Sequence, residues 1–125
     1  MVVLMRNILF LISLITFSFS SQYTFLVDKY DEDKVIVVTL EEHGALYSQD
    51  GIIKLMPALN VVAKDTTGAG DIFHGAFVYG LANNFDLEKT IKYATVAGGL
   101  SVTKLGARNS VPDLKEVEAE YTKNN

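Results

Sequence analysis

Seven residues near the middle of the chain, Asp65-Thr66-Thr67-Gly68-Ala69-Gly70-Asp71, constrain its fold more than any other stretch. They follow a short extended segment at 60–63 and precede a run whose apolar residues recur at helical spacing. Such a loop ends at a helix start, where backbone amides are unpaired and the dipole is positive. Gly68, Ala69 and Gly70 have little or no side chain, so an anion can approach those amides closely. Asp71 then falls in the first helical turn, where a carboxylate can accept a proton from an attacking hydroxyl. A plainer reading stays open, in which the glycines make a flexible loop and Asp71 only caps the helix. The string is not a Walker loop, because Gly-Lys-Ser/Thr is absent. It is not a dinucleotide fingerprint either, because the third glycine, Gly75, comes too late.

The first predicted helix runs from the loop to about residue 83. Ile72, Ala76 and Gly80 lie on one stripe, and Phe73, Phe77 and Leu81 on the next. A second helix starts at Asp86, a good N-cap, and passes through Ile91, Ala94 and Ala97 to about residue 103. Its Gly98-Gly99 pair costs about 1 kcal/mol per glycine, which implies close approach of another backbone. A third helix starts at Asp113, after Pro112 and three residues before Glu116, the pattern of a capping box. Leu114, Val117 and Tyr121 form its apolar stripe, while Glu116, Glu118 and Glu120 read as a solvated face. Upstream, residues 34–40 are apolar on both faces and predict a buried, parallel strand. Residues 44–48 and 51–55 predict two shorter strands, with Ser48-Gln49-Asp50-Gly51 supplying the turn. Strands followed by helices predict an α/β layer.

Residues 1–21 resemble a secretory signal. Arg6 precedes an apolar run from Ile8 to Phe17, and Ser18 and Ser20 have cleavage-site spacing. The run is shorter than the roughly 20 residues a spanning helix needs. A true signal, a buried element, and a segment foreign to the fold that follows all remain open. The expected organisation is a signal-like segment at 1–21, a linker at 22–33 and one region at 34–125. A net charge of -4 with scattered Lys and Arg gives no footprint for nucleic acid. No cysteine is present, which excludes disulfides and thiolate sites. His43 and His74 have no metal-pair spacing, and neither is assigned a role.

The string from Asp65 to Asp71, followed by Gly75-Ala76-Phe77, resembles the C-terminal signature of the PfkB, or ribokinase-like, carbohydrate kinases. Val37-Val38-Thr39-Leu40-Glu41-Glu42-His43-Gly44-Ala45 resembles the family's strand and loop before the nucleotide. Ser101-Val102-Thr103-Lys104-Leu105-Gly106-Ala107, with Ser110-Val111-Pro112, resembles the segment after its penultimate helix. The resemblance implies an α/β chain that is the C-terminal part of a ribokinase-like three-layer α/β/α fold. It implies transfer of the γ-phosphate of ATP to a hydroxyl of a sugar or sugar-like small molecule. Asp71 would be the base, and Gly68, Ala69 and Gly70 the anion hole. Thr39, Leu40, Glu41, Glu42, His43 and Gly44 would border the nucleotide with Gly70 and Asp71, and Thr95 and Ser101 more loosely. Mg2+ would accompany ATP. A monovalent cation, K+, would lie near Asp65, Thr67, Ser101, Lys104, Gly106 and Ser110, held mostly by backbone carbonyls. Location would be cytoplasmic, or secreted or membrane-associated if the signal at 1–21 is genuine.

Two departures stand out. Glu41 occupies a position where the family usually has glycine, and its charge would repel phosphates unless it points away. The family's Asn-x-x-Glu motif, which organises magnesium, occurs nowhere in the sequence. A non-catalytic remnant or nucleotide-binding module is therefore the alternative. A separate N-terminal kinase part acting in trans is a possible partner.

Overall fold

The computed structural model describes residues 2–5, as backbone only, and residues 35–123. The signal-like segment beyond Met5 and the expected linker at 22–33 lie outside the described residues. The chain forms two compact units, Met1–Met56 and Pro57–Asn125.

The first unit is a four-stranded sheet in the order β1 (Val2–Met5), β2 (Val35–Thr39), β3 (Ala45–Gln49) and β4 (Ile52–Met56). Every pairing is antiparallel, with Val2 opposite Val38, Thr39 opposite Ala45, and Gln49 opposite Ile52. The predicted parallel direction of the strand at 34–40 is therefore corrected. Ile36, Val37 and Val38 are all buried. Such a run reports burial on both faces and says nothing about direction. Only five residues join β2 to β3, whereas a parallel crossover needs about a dozen. That link is a short 3-10 turn, Glu41–His43, closed by Leu40 N–H donating to Gly44 O at 2.7 Å. Asp50 and Gly51 join β3 to β4 with φ of 53° and 72°. Two positive φ angles make the primed turn that matches strand twist, for which Asp-Gly is a favoured pair.

The second unit is built from three helices, α1 (Ala69–Ala82), α2 (Leu87–Ser101) and α3 (Leu114–Lys123). The expected extended segment at 60–63 has no regular element. Asn84 ends α1 with φ 57°, its N–H donating to Leu81 O at 3.0 Å and that of Phe85 to Gly80 O at 2.9 Å. These two bonds form a Schellman motif, with asparagine in the left-handed position. Asp86 caps α2 by accepting from Lys89 N–H at 2.8 Å. At α3 the capping box is reciprocal: Asp113 accepts from Glu116 N–H at 2.8 Å, and Glu116 accepts from Asp113 N–H at 2.9 Å.

Phe73 and Phe77 of α1 are buried, as are Ile91 and Ala94 of α2. A second cluster joins Tyr93, Val96 and Ala97 to Val117 of α3, with Ile72, Ala76 and Tyr79 packed against it. The closest helix approach is at Gly80, where a Cβ would lie 2.9 Å from Thr90 Cγ2 and 3.2 Å from Thr90 Cα. The glycine pair in α2 is less crowded by backbone than expected. A Cβ at Gly98 would sit 3.6 Å from the Ala69 carbonyl, and one at Gly99 would strike the Leu59 side chain at 2.6 Å. Among the described residues no helix is long and apolar enough to cross a membrane. Gly80→Ala should lower the stability of this unit by about 1–2 kcal/mol, since overpacking outweighs the gain in helix propensity. Chemical denaturation followed by circular dichroism measures it, and an unchanged midpoint would contradict the close approach.

Candidate active site

The loop before α1 is pinned at both ends. Lys64 and Asp65 donate their N–H groups to Val102 O at 2.7 and 3.2 Å. Asp65 then uses both carboxylate oxygens, Oδ1 accepting from Thr67 N–H and Oδ2 from Gly106 N–H, each at 2.9 Å. Hydrogen bonds to the Thr67 side chain and amide, then to the Gly106 amide, lower its pKa from 3.8 to about 2. The flexible-loop reading does not describe this geometry.

Gly68 is the N-cap of α1, with φ 80° and no side-chain cap bond. Its carbonyl accepts the first helical bond, from Ile72 N–H at 3.0 Å. Asp71 is exposed in the first turn and makes no N-cap bond, so the reading of Asp71 as a mere cap fails too. The helix start has no side-chain cap, although Ala69 N–H already donates to Thr66 O at 3.2 Å; amides without an intrahelical partner are what an anion requires. The two glycines differ in kind. A Cβ at Gly68 would lie 3.1 Å from Ala107 Cβ, whereas one at Gly70 would meet no atom within 4 Å. Packing and backbone conformation explain Gly68. Among the described residues no contact explains Gly70.

The six residues expected around a monovalent cation are partly linked. Asp65, Thr67 and Gly106 are joined by the carboxylate, and Ser110 N–H donates to Gly106 O at 3.0 Å. Lys104 N–H donates to Ser101 O at 3.2 Å. The Lys104 ammonium is engaged by Glu116, at 3.1 and 3.0 Å from its two oxygens, so Lys104 has its carbonyl to offer. Glu116 accordingly belongs to a cap and an ion pair rather than to a solvated face alone. Among the described residues no group of three His, Asp or Glu could hold a metal.

The residues expected to border a nucleotide fall into two groups. Thr39, Leu40, Glu41, Glu42, His43 and Gly44 belong to the first unit. Glu41 adopts φ 55°, a conformation that favours glycine and so gives a backbone reason for the family's usual residue. Its side chain is exposed, as are those of Glu42 and His43. Thr95 and Ser101 belong to α2, and both are buried. Their hydroxyls donate back to their own helix, to Ile91 O at 2.9 Å and Gly98 O at 2.6 Å.

His74 is half-buried one turn beyond Asp71. Burial holds its pKa below the ordinary histidine value, and the Asp71 carboxylate partly restores it. A cavity of about 590 Å³ runs from Gly68 and Asp71 along α1 to Tyr79 and Tyr93. No local sequence pattern signals it, because its walls come from three helices and the loop holding Ala107.

A family model described as pfkB family carbohydrate kinase matches residues 22–114, beginning where the sequence suggested a linker. A ribokinase of Lactococcus lactis is 40% identical over 85 residues, which is 68% of this chain and 28% of that protein. The crystal structure of a Thermotoga maritima ribokinase superposes with a TM-score of 0.66 at 41% identity, covering 70% of this chain and 29% of that one. An Arabidopsis thaliana ribokinase solved with ribose and ATP gives 0.64 at 30% identity, covering 68% and 28%. This chain belongs to the pfkB family of carbohydrate kinases. Its sheet and helices are the C-terminal part of the ribokinase-like α/β fold, spanning a little over a quarter of the length of these relatives.

Within a pfkB kinase the two loop glycines make opposite predictions. Gly68→Ala should lose about 1–2 kcal/mol of stability through its left-handed backbone. Gly70→Ala should gain up to about 1 kcal/mol while weakening nucleotide binding. Thermal melts and calorimetric titration with ATP separate the two effects, and loss of stability in Gly70→Ala would contradict them. The Asp65 tether is also pH-dependent. Its folded pKa is depressed, so the tether is complete above the ordinary 3.8 and is lost as pH falls toward about 2. Asp65→Asn should remove that part of the acid limb in a pH series of melts. An identical acid limb in the variant would refute the assignment.

Proposed function

We propose that this chain supplies the phosphoryl-transfer end of a sugar kinase, with ATP as its magnesium complex as the donor. The observation that supports it most is the start of α1, where Gly68 caps the helix without a side chain, a Cβ at Gly70 would meet open space, and Asp71 follows in the first turn. Amides of Gly68, Ala69 and Gly70 take the charge that grows on the transferring phosphoryl group. Asp71 accepts the proton of the acceptor hydroxyl as its oxygen bonds to the γ-phosphorus. The bond from that phosphorus to the β–γ bridging oxygen breaks, and ADP leaves with the electron pair. Thr39 through Gly44 border the nucleotide. Magnesium bound with ATP would neutralise charge on the phosphates during transfer. Asp65, Thr67, Ser101, Lys104, Gly106 and Ser110 present hard oxygen donors suited to K+, which would steady the loop beside the amides. The acceptor is a sugar or a sugar-like alcohol.

A second reading, a nucleotide-binding module without turnover, is favoured by the chain's coverage of only 28% of the Lactococcus relative. Calorimetry with ATP, Mg2+ and K+, together with an ADP-release assay on ribose, decides between them. The kinase reading expects saturable ATP binding and ribose-dependent ADP release. Asp71→Asn should then keep the binding and lose about 10²–10⁴-fold in transfer. Transfer that survives in Asp71→Asn would remove Asp71 as the base. Binding without transfer by the unaltered chain selects the second reading.

A further inference from the structure

The turn from Lys104 to Ser110 braces the start of α1. Gly106 N–H donates to Asp65 Oδ2 at 2.9 Å, and Ala107 Cβ lies 3.1 Å from where a Cβ on Gly68 would stand. The placement of this turn therefore sets the directions of Thr67 and Gly68. Yet residues 105–109 are all exposed, Leu105 at 69%. A segment without buried apolar contacts opens easily, so its placement depends on polar ties.

Within the turn, the N–H groups of Asn109 and Ser110 donate to Gly106 O at 3.0 Å, and Ser110 Oγ donates to Ala107 O at 2.9 Å. These bonds fix its shape and leave its placement open. Buried Ser110 anchors one end. At the other end Lys104 Nζ donates to both carboxylate oxygens of Glu116, at 3.1 and 3.0 Å. Glu116 is a firm post. Its Oε2 also accepts from Asp113 N–H at 2.9 Å, and Val117 beside it is buried with Tyr93, Val96 and Ala97. The Lys104 ammonium, then the Asp113 amide, hold its carboxyl below the usual range. The pair is 38% and 45% exposed, so it adds little to overall stability. Its effect is on where the turn sits.

We propose that Glu116 is a positioning residue for the phosphate cradle, steering the turn at 104–110, and through it Asp65 and Gly68, by its bridge to the Lys104 side chain. The proposal deepens the kinase reading and rests on it for what the cradle binds.

Three variants separate this role from capping. Glu116→Gln removes the charge but still accepts from Asp113 N–H, since glutamine serves the same place in a capping box. Lys104→Met removes the ammonium and keeps the backbone carbonyl. Lys104→Arg keeps a partner for the carboxylate. Amide hydrogen exchange is followed residue by residue by NMR on the full 125-residue chain without nucleotide. Glu116→Gln and Lys104→Met should each speed exchange at Thr67 and Gly106 about five-fold, while Phe85 and Val117 keep their protection. Lys104→Arg should match the parent. In about 1 M salt the gap between the parent and Glu116→Gln should shrink, because the bridge is screened. Calorimetry with ATP should rank the four chains in the same order, with about five-fold weaker binding in Glu116→Gln and Lys104→Met.

Unchanged exchange at Thr67 and Gly106 in both variants would overturn the proposal. So would faster exchange spread equally to Phe85 and Val117, the mark of general destabilisation. Equal ATP affinity in all four chains would overturn it as well. A parent chain that binds no ATP counts against the kinase reading alone, because exchange at Thr67 and Gly106 still decides whether Glu116 positions the loop.

Discussion

The Asp65 carboxylate holds together two loops that lie 41 residues apart in sequence. One oxygen fixes the turn at Thr67, and the other takes the amide of Gly106 beyond α2. Gly106 in turn orders Ser110, and Ala107 rests close enough to Gly68 to crowd a side chain there. Remove the carboxylate's charge and three things loosen together: the entry to α1, the exit from α2 and the approach to α3. The aspartate is only half-buried, so its contribution is not the full burial of a charge. It lies in fixing the direction in which the first amides of α1 point.

That dependence explains which parts of the site could be read from sequence. A helix start after Asp-Thr-Thr-Gly-Ala-Gly was legible because it rests on local rules, namely glycine conformations and unpaired amides. The capping residues Asp86 and Asp113 were legible for the same reason, since each bonds within three residues. The partner of Asp65 was not, because no local rule says which distant amide a carboxylate will meet. The same holds for Lys104, whose ammonium goes to Glu116, and for the groove ending at Tyr93.

Strand direction failed for a different reason. Ile36, Val37 and Val38 were read as a buried run, and they are buried. Burial on both faces is a property of position in a sheet, shared by parallel and antiparallel central strands. The five-residue link from β2 to β3 held the information about direction, and a reading based on the run alone passed over it.

The glycines give the sharpest separation of folding from function, because the same residue type is present for different reasons. Gly80 and Gly99 are small because Thr90 and Leu59 press on them, and Gly68 is small because of its φ of 80° and its contact with Ala107. Gly51 makes a turn. For these, the molecule itself supplies the cause. Gly70 and Gly75 have no such cause, since each sits in α1 beside open space and each weakens the helix. Gly70 stands next to Asp71 in the first turn, and Gly75 lines the groove along α1. No contact among the described residues therefore accounts for the small size of either one.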